Sequence, residues 1–258
     1  MRLLAYFIPT YKLVYTISVQ VICTMLSIII PTLNEEKYLP KLLECLRQQQ
    51  YPDKEIIISD GSSTDKTVSI AKSYNCKITI NKKRLPARQR NAGAAIAKGD
   101  VLLFLDADTL LPANFLREVT KEFQSRKLDV AGFYFTLHSD KLLYRFASLY
   151  GYVHCFILQY IHPIAIGAAI LSRKSFHNRV NGFKESLFIG DDHEYAKSIQ
   201  KAGGTYSLIK SKKILFHVRR FEKEGPFTLY CKWVYMAFYY MLKGPIKKPI
   251  CTYEFGKF

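Results

Sequence analysis

Three apolar runs in the first half of the chain, "LSIII" (26–30), "EIIIS" (55–59) and "DVLLFL" (100–105), each stop at a cluster of polar and charged residues. Runs of this length without polar alternation must be covered on both faces. Helical patterns separate them. Leu39, Leu42, Leu43 and Leu46 recur at helical spacing. A helix is expected over 65–73, with Ser63 or Thr64 as its N-cap. "CKITI" (76–80) reads as a third strand before a helix in "ARQRNAGAAIAKG" (87–99), where Gly99 stands near the C-terminus. Pro112 suits the first turn of the helix after the 100–105 strand, and "DVAGFYFTL" (129–137) reads as a fifth strand. Strand–helix alternation of this kind gives an α/β class: a mainly parallel sheet with helices on both faces.

In such a sheet, ligands bind beyond the carboxyl ends of the strands. Residues Pro31–Glu36, Asp60–Asp65 and Asp106–Asp108 all follow a strand there. One aspartate after a strand is usually a turn or a cap; three clusters on one edge point to a binding site. Asp106 and Asp108 end the most apolar run, and bare carboxylates cannot be buried. A cation between them is expected.

The second half is less regular. Phe146 to Ser172 carries no Asp, Glu, Lys or Arg, but His154, His162 and Pro163 interrupt it. It divides into a helix near 142–160 and a strand near 165–171. "FTLYCKWVYMAFYYMLK" (227–243) reads as a C-terminal helix broken by "KGP". Its Trp233, its tyrosines and the flanking lysines, with Lys247 and Lys248 beyond, suit a membrane interface, on which this helix, alone or with 142–160, is expected to lie, with a core or dimer helix as the alternative. Lys232 argues against a simple span.

The formal charge is +17, and from Lys197 onward 13 Lys and Arg face three Glu. Such asymmetry favours an anionic partner. No zinc, helix-turn-helix or aromatic-platform motif accompanies it, so nucleic acid is not the expected partner. The six cysteines lack CxxC metal-cluster spacing, a chain this long does not call for a disulfide framework, and reduced thiols in a cytoplasmic compartment are expected. Leu13 to Ile30 is uncharged, but "LSIII" is needed as a core strand. Residues 1–24 are therefore expected to be a leader, or the start to be Met25.

"SIIIPTLNEEKYL" (27–39), "DGSSTDKT" (60–67), "RNAG" (90–93), "FLDADT" (104–109), "GDDHEYA" (190–196) and "HVRR" (217–220) occur in that order. The ordered set resembles family 2 glycosyltransferases of the nucleotide-sugar-dependent GT-A (Rossmann-like) fold. The resemblance covers residues 25–220, leaving 1–24 as leader and 221–258 as a membrane-interface or packing helix with its tail. It departs from the family at "GDD", where Glu-Asp is usual.

The resemblance implies a nucleoside-diphosphate sugar as donor and a glycan or polyprenyl-linked hydroxyl as acceptor, worked on at the cytoplasmic face of an anionic membrane. Asp106 and Asp108 are cast as the DxD pair, with Asp108 on the metal and Asp106 on ribose or metal. The ion, Mg²⁺ or Mn²⁺, prefers carboxylates plus substrate phosphates and neutralises the leaving diphosphate. His217 is the candidate to complete the metal shell or bind diphosphate. Pro31, Thr32 and Glu35 are expected to line the nucleoside pocket, and Asp60 to bond the base. Arg88 and Arg90 are candidates for diphosphate or base, with an exposed helix face as the alternative. Asn91 and Gly93 are expected to shape a close helix approach. Asp192 is the candidate general base. Its neighbour Asp191 makes holding both charges costly, and capping of the helix through Lys201 is the bland alternative for both. "GAAILSRKSF" (167–176) and "NGFKES" (181–186) match the acceptor side, and the family implies inversion at the anomeric carbon. Two rivals remain. "FLDADT" also resembles the nucleophile motif of haloacid dehalogenase-type phosphatases, with Lys174 or Lys184 as phosphate lysine, though that motif normally sits on the first strand. The other is a non-catalytic membrane adaptor on the same scaffold.

Overall fold

The computed structural model of the chain describes residues 24–82, 84–137, 141–159, 163, 165, 167–216, 219–248, 250 and 251. The expected leader, His162 and His217 lie outside the described residues, as do the side chains of His154 and Trp233. The elements are β1 (Leu26–Thr32), α1 (Leu39–Gln48), β2 (Lys54–Asp60), α2 (Thr67–Ser73), β3 (Lys77–Ile80), α3 (Pro86–Ile96), β4 (Val101–Leu105), β5 (Thr109–Leu110), α4 (Phe115–Ser125), β6 (Val130–Leu137), α5 (Leu142–Leu158), β7 (Ala169–Arg173), α6 (Lys174–Arg179), α7 (Asp191–Lys201), β8 (Tyr206–Phe216), α8 (Arg219–Glu224) and α9 (Pro226–Lys243).

They form one sheet in the order β3-β2-β1-β4-β7-β6-β8-β5. β3, β2, β1 and β4 run parallel, with Ile28 opposite Ile56 and Leu103. β7 then pairs antiparallel with both β4 and β6, β6 pairs parallel with β8, and β5 pairs antiparallel with β8. The sheet is mixed beyond β4.

The pleat of β1 explains the layering. Leu26, Ile28 and Ile30 face one side and pack with Leu39, Leu42, Leu43 and Leu46 of α1, Ala71 of α2, and Phe115, Leu116, Val119 and Phe123 of α4. Ile29 faces the other side and packs with Ala87 and Ala94 of α3 and with Tyr195, Ala196 and Ile199 of α7. The four α1 leucines are fully buried, each stabilising the fold by about 1.5–3 kcal/mol relative to exposure. Gly93 permits the close approach of α3: a Cβ there would collide with Ile29 Cγ2. Asn91 adds two bonds to the Phe183 backbone, accepting from its N–H at 2.8 Å and donating to its carbonyl at 2.9 Å.

Several sequence-based boundaries move. α2 begins at Thr67 with Lys66 as cap; Asp65, not Ser63 or Thr64, accepts from the Thr67 N–H at 3.0 Å. Pro112 precedes α4, whose cap is Asn114 in the left-handed region, because the short β5 pairing delays the helix. β7 begins at Ala169, four residues after the expected start. Asp191 and Asp192 are the first residues of α7, and Gly190, at φ 82°, occupies the cap position they were candidates for. β8 was not expected, because its lysines interrupt the apolar pattern. Among the described residues, no helix is long and apolar enough to cross a membrane.

Candidate active site

The polar clusters converge at the carboxyl ends of β1, β2 and β4. The first two interlock through short-chain side groups. Asp60 is fully buried and accepts from Thr32 Oγ1 at 2.9 Å, from the Ser63 N–H at 2.7 Å and from Ser63 Oγ at 2.5 Å. The Asn34 N–H donates to Ser63 Oγ at 2.9 Å, the Glu35 N–H to Thr67 Oγ1 at 2.8 Å and the Glu36 N–H to Asp65 Oδ2 at 3.1 Å. Pro31 is half-buried opposite Ser59, while Thr32 and Glu35 are buried. These bonds tie the loop after β1 to the loop after β2 in one wall.

The amino-terminal turns of α3 join this wall to the third cluster. Gln89 donates to the Thr32 carbonyl at 2.7 Å. One residue on, Arg90 points the other way. Its Nη1 donates to Asp191 Oδ2 at 2.8 Å, and its Nη2 donates to Asp106 Oδ1 at 3.1 Å and to the Gly167 carbonyl at 3.1 Å. The guanidinium also lies 5.4 Å from the centroid of the Phe183 ring. Arg90 is 4% exposed, so the exposed-face alternative does not hold for it. Its Nε is buried without a partner. Arg88, two positions away, is half-buried and lies 3.4 Å from Glu185. It lines a shallow cleft with Asn81, Lys82, Asn91, Ala92 and Glu185.

Asp192 stands at the start of α7, where the helix dipole favours a carboxylate. Its Oδ2 accepts from the Gly167 N–H and its Oδ1 from the His193 N–H, both at 2.8 Å. Gly167 thus contacts both Arg90 and Asp192, and a Cβ on it would come within 2.8 Å of Arg90 Nη2 and 3.3 Å of Asp192 Oδ2. Burial, helped by the neighbouring Asp192 charge, pushes the Asp191 carboxyl above the usual carboxylate range, with Arg90 opposing. Burial pulls the Arg90 guanidinium down, but Asp191, Asp106 and Asp192 outweigh it and hold the cation firmly protonated.

Asp106 and Asp108 are half-buried at the tip of β4, where the Asp106 N–H is fixed by the Ala168 carbonyl at 3.1 Å. Among the described residues, no three His, Cys, Asp or Glu side chains gather as an all-protein metal cage. A small hard cation that takes one or two carboxylates and completes its shell with phosphate oxygens needs no such cage. Two carboxylates, Asp106 and Asp191, bond one guanidinium, and Asp192 acts on it through charge alone, which leaves negative charge for such an ion. Asp106 and Asp108 fit that donor set. The structure brings together Asp106, Arg90 and Asp192; it keeps Asp60, Thr32 and Glu35 in the adjoining wall. Gln89 escaped the sequence reading, and Gly167 entered it only as the first residue of "GAAILSRKSF", without a role of its own.

The chain matches the family model for glycosyl transferase family 2 over residues 27–181. It is 32% identical over 133 residues to the poly(ribitol-phosphate) β-N-acetylglucosaminyltransferase TarS of Staphylococcus aureus, covering 48% of this chain and 21% of that protein. It is 40% identical over 111 residues to a dolichyl N-acetyl-α-D-glucosaminyl phosphate 3-β-D-2,3-diacetamido-2,3-dideoxy-β-D-glucuronosyltransferase of Methanococcus voltae, covering 40% of this chain and 35% of that protein. The matches therefore span about a fifth to a third of these relatives' lengths. Among solved structures, residues 1–349 of TarS superpose with a TM-score of 0.62 at 21% identity, covering 75% of this chain and 60% of that one. The mannosyltransferase PcManGT of Pyrobaculum calidifontis, in complex with GDP-Man and Mn²⁺, gives 0.61 at 19% identity, covering 82% and 64%. These likenesses establish the fold. The aspartyl-phosphatase resemblance of "DADT" finds no support in it, since that motif ends the fourth strand in chain order.

Proposed function

Because the chain belongs to glycosyl transferase family 2, we propose that it moves a sugar from a nucleoside diphosphate to an acceptor hydroxyl, with inversion, on a cell-envelope or polyprenyl-linked glycan at a cytoplasmic membrane face. The observation that carries this reading is the meeting of the β4 tip with the start of α7. Asp106 and Asp191 are bonded to one guanidinium, and Asp192 is bonded to the Gly167 backbone that the same guanidinium holds.

In this reading the nucleoside sits against the wall of Pro31, Thr32, Glu35 and Asp60, and Arg88 faces the diphosphate or base. Asp108 and Asp106 hold Mg²⁺ or Mn²⁺, with His217 as a further candidate ligand. When bound, the ion supplies charge neutralisation to the departing diphosphate. Asp192 accepts the proton of the acceptor hydroxyl as its oxygen bonds to the anomeric carbon, and the carbon–oxygen bond to the diphosphate breaks. Two backbone N–H groups already fix the Asp192 carboxylate and leave lone pairs for that proton. Relatives named for lipid-linked substrates, including the GalNAc(5)-diNAcBac-PP-undecaprenol β-1,3-glucosyltransferase of Campylobacter jejuni at 34% identity over 90 residues, support the acceptor class.

The test is a melting-temperature screen of UDP and GDP with and without Mn²⁺, repeated on Asp108→Ala. At ligand about 100-fold above Kd, stabilisation of about 2.7 kcal/mol is expected. It should require the metal and vanish in the variant. Equal stabilisation without metal, or in Asp108→Ala, overturns the assignment of the ion.

A further inference from the structure

Among the described residues, helix α5 keeps a stripe of apolar side chains exposed. Leu142, Leu149, Val153, Phe156 and Ile157 are each 44% exposed or more. At 100° per residue they fall within an arc of about 100°, four turns long. Tyr144, Ser148 and Gly151 occupy the opposite side and are buried. The Ser148 hydroxyl bonds the Leu137 N–H at 2.9 Å, which anchors that side to β6. The exposed stripe is therefore not a core face that happens to be loosely packed.

We infer that this stripe is the face by which the protein lies on an anionic lipid surface. Charge decides the occupant. α5 has no acidic residue. Its rim is basic: Lys141 and the exposed Arg145 stand at its start, and Lys213 of β8 reaches over the Tyr152 ring at 4.6 Å. Apolar side chains in the acyl boundary with cations at the headgroups is the arrangement of an interfacial helix. A second copy of the chain would oppose the same cations on itself, which disfavours self-pairing. α9, the other element suited to a membrane, turns Leu229, Met236 and Tyr240 inward but leaves Val234, Tyr235 and Leu242 exposed, so Leu242 is the comparison site for α5. Eight residues separate the end of α5 from Gly167, whose N–H bonds Asp192, so the C-terminal end of this face lies within a chain reach of about 30 Å of that residue.

This inference deepens the membrane placement proposed above and is independent of the transfer chemistry. The experiment is flotation of the full chain with phosphatidylcholine vesicles carrying about 30% phosphatidylglycerol, or none, at about 0.05 and 0.5 M salt. The variants are Phe156→Glu with Ile157→Glu, Leu149→Glu alone, and Leu242→Glu on α9, each checked by its melting curve. Wild type should float with the anionic vesicles at low salt. The α5 variants should lose at least about tenfold in partitioning, and Leu242→Glu should float like wild type. If wild type never floats, the membrane placement itself fails. Flotation lost with Leu242→Glu and kept by the α5 variants overturns the choice of α5 alone. Equal flotation with neutral vesicles removes the role of charge. A concentration-dependent dimer in sedimentation, lost in the α5 variants, assigns the stripe to a second copy and overturns the inference.

Discussion

Arg90 shows how one buried cation organises a site. Its two carboxylate partners stand on different elements, Asp106 after β4 and Asp191 at the start of α7. Removing one partner of a buried pair leaves the other charged and desolvated, which costs about 3–5 kcal/mol. Arg90→Ala is expected to lower stability by roughly 3 kcal/mol, a melting shift on the order of 10 °C. A shift under about 3 °C, read by calorimetry, would show the pair to be worth little. Gly167→Ala tests the same cluster from the other side. Its Cβ would push on the far end of Arg90 and on Asp192, and a cost of about 1–3 kcal/mol is expected from overpacking. The sequence singled out Arg88 and Arg90 together and could not separate them. Their spacing of two puts them on different sides of α3, and only the packing of α3 on β1 decides which one is buried.

At the scale of elements, α7 is held by α9. Glu194, buried two residues after Asp192, accepts from Tyr240 and from Lys184, the latter at 2.9 Å. Burial pushes the Glu194 carboxyl up, but Tyr240 and Lys184 outweigh it and hold it below its usual range. The Phe188 N–H donates to the Ile246 carbonyl at 2.8 Å, which clasps the loop ahead of Gly190. Tyr240→Phe should cost about 2 kcal/mol, the value of a hydrogen bond to a charged group. Amide exchange should quicken in the first turns of α7 and stay unchanged in β1; unchanged exchange in α7 would refute the clasp. The C-terminal helix was legible in the sequence from its length and breaker. Its partner was not, because Glu194 and Tyr240 are 46 residues apart and no local pattern links them. β8 was missed for a related reason. Lys210, Ser211 and Lys213 are exposed while Leu208, Ile209 and Ile214 are buried, so it lacks the continuous apolar run of β1 or β4. It is a strand because β6 and β5 flank it.

For the whole molecule, the end of the sheet opposite the site carries its own anchor. Glu55 on β2 accepts from Ser27 Oγ of β1 at 2.5 Å, from Lys77 of β3 and from the Lys98 N–H at 2.5 Å. Burial pushes this carboxyl up, but Lys77, Ser27 and Lys98 outweigh it and lower it to about 2. A carboxyl lowered on folding stabilises above its unfolded value and loses that stability as pH falls through its folded one. Glu55 should therefore contribute on the order of 2 kcal/mol at neutral pH, fully present above about 4.5 and lost toward about 2. Glu55→Gln should remove that part of the acid limb in a urea-denaturation series across pH; an unchanged limb would refute it. The sequence by itself determined the α/β class, the strands that end at the site and the family motifs, because continuous apolar runs and polar strand tips are local patterns. Only the tertiary structure decided that β7 enters antiparallel, that Arg90 is shared by Asp106 and Asp191, and which face of α5 is exposed among the described residues. Those outcomes depend on which distant surfaces meet, and burial and charge pairing are properties of the meeting, not of either stretch alone.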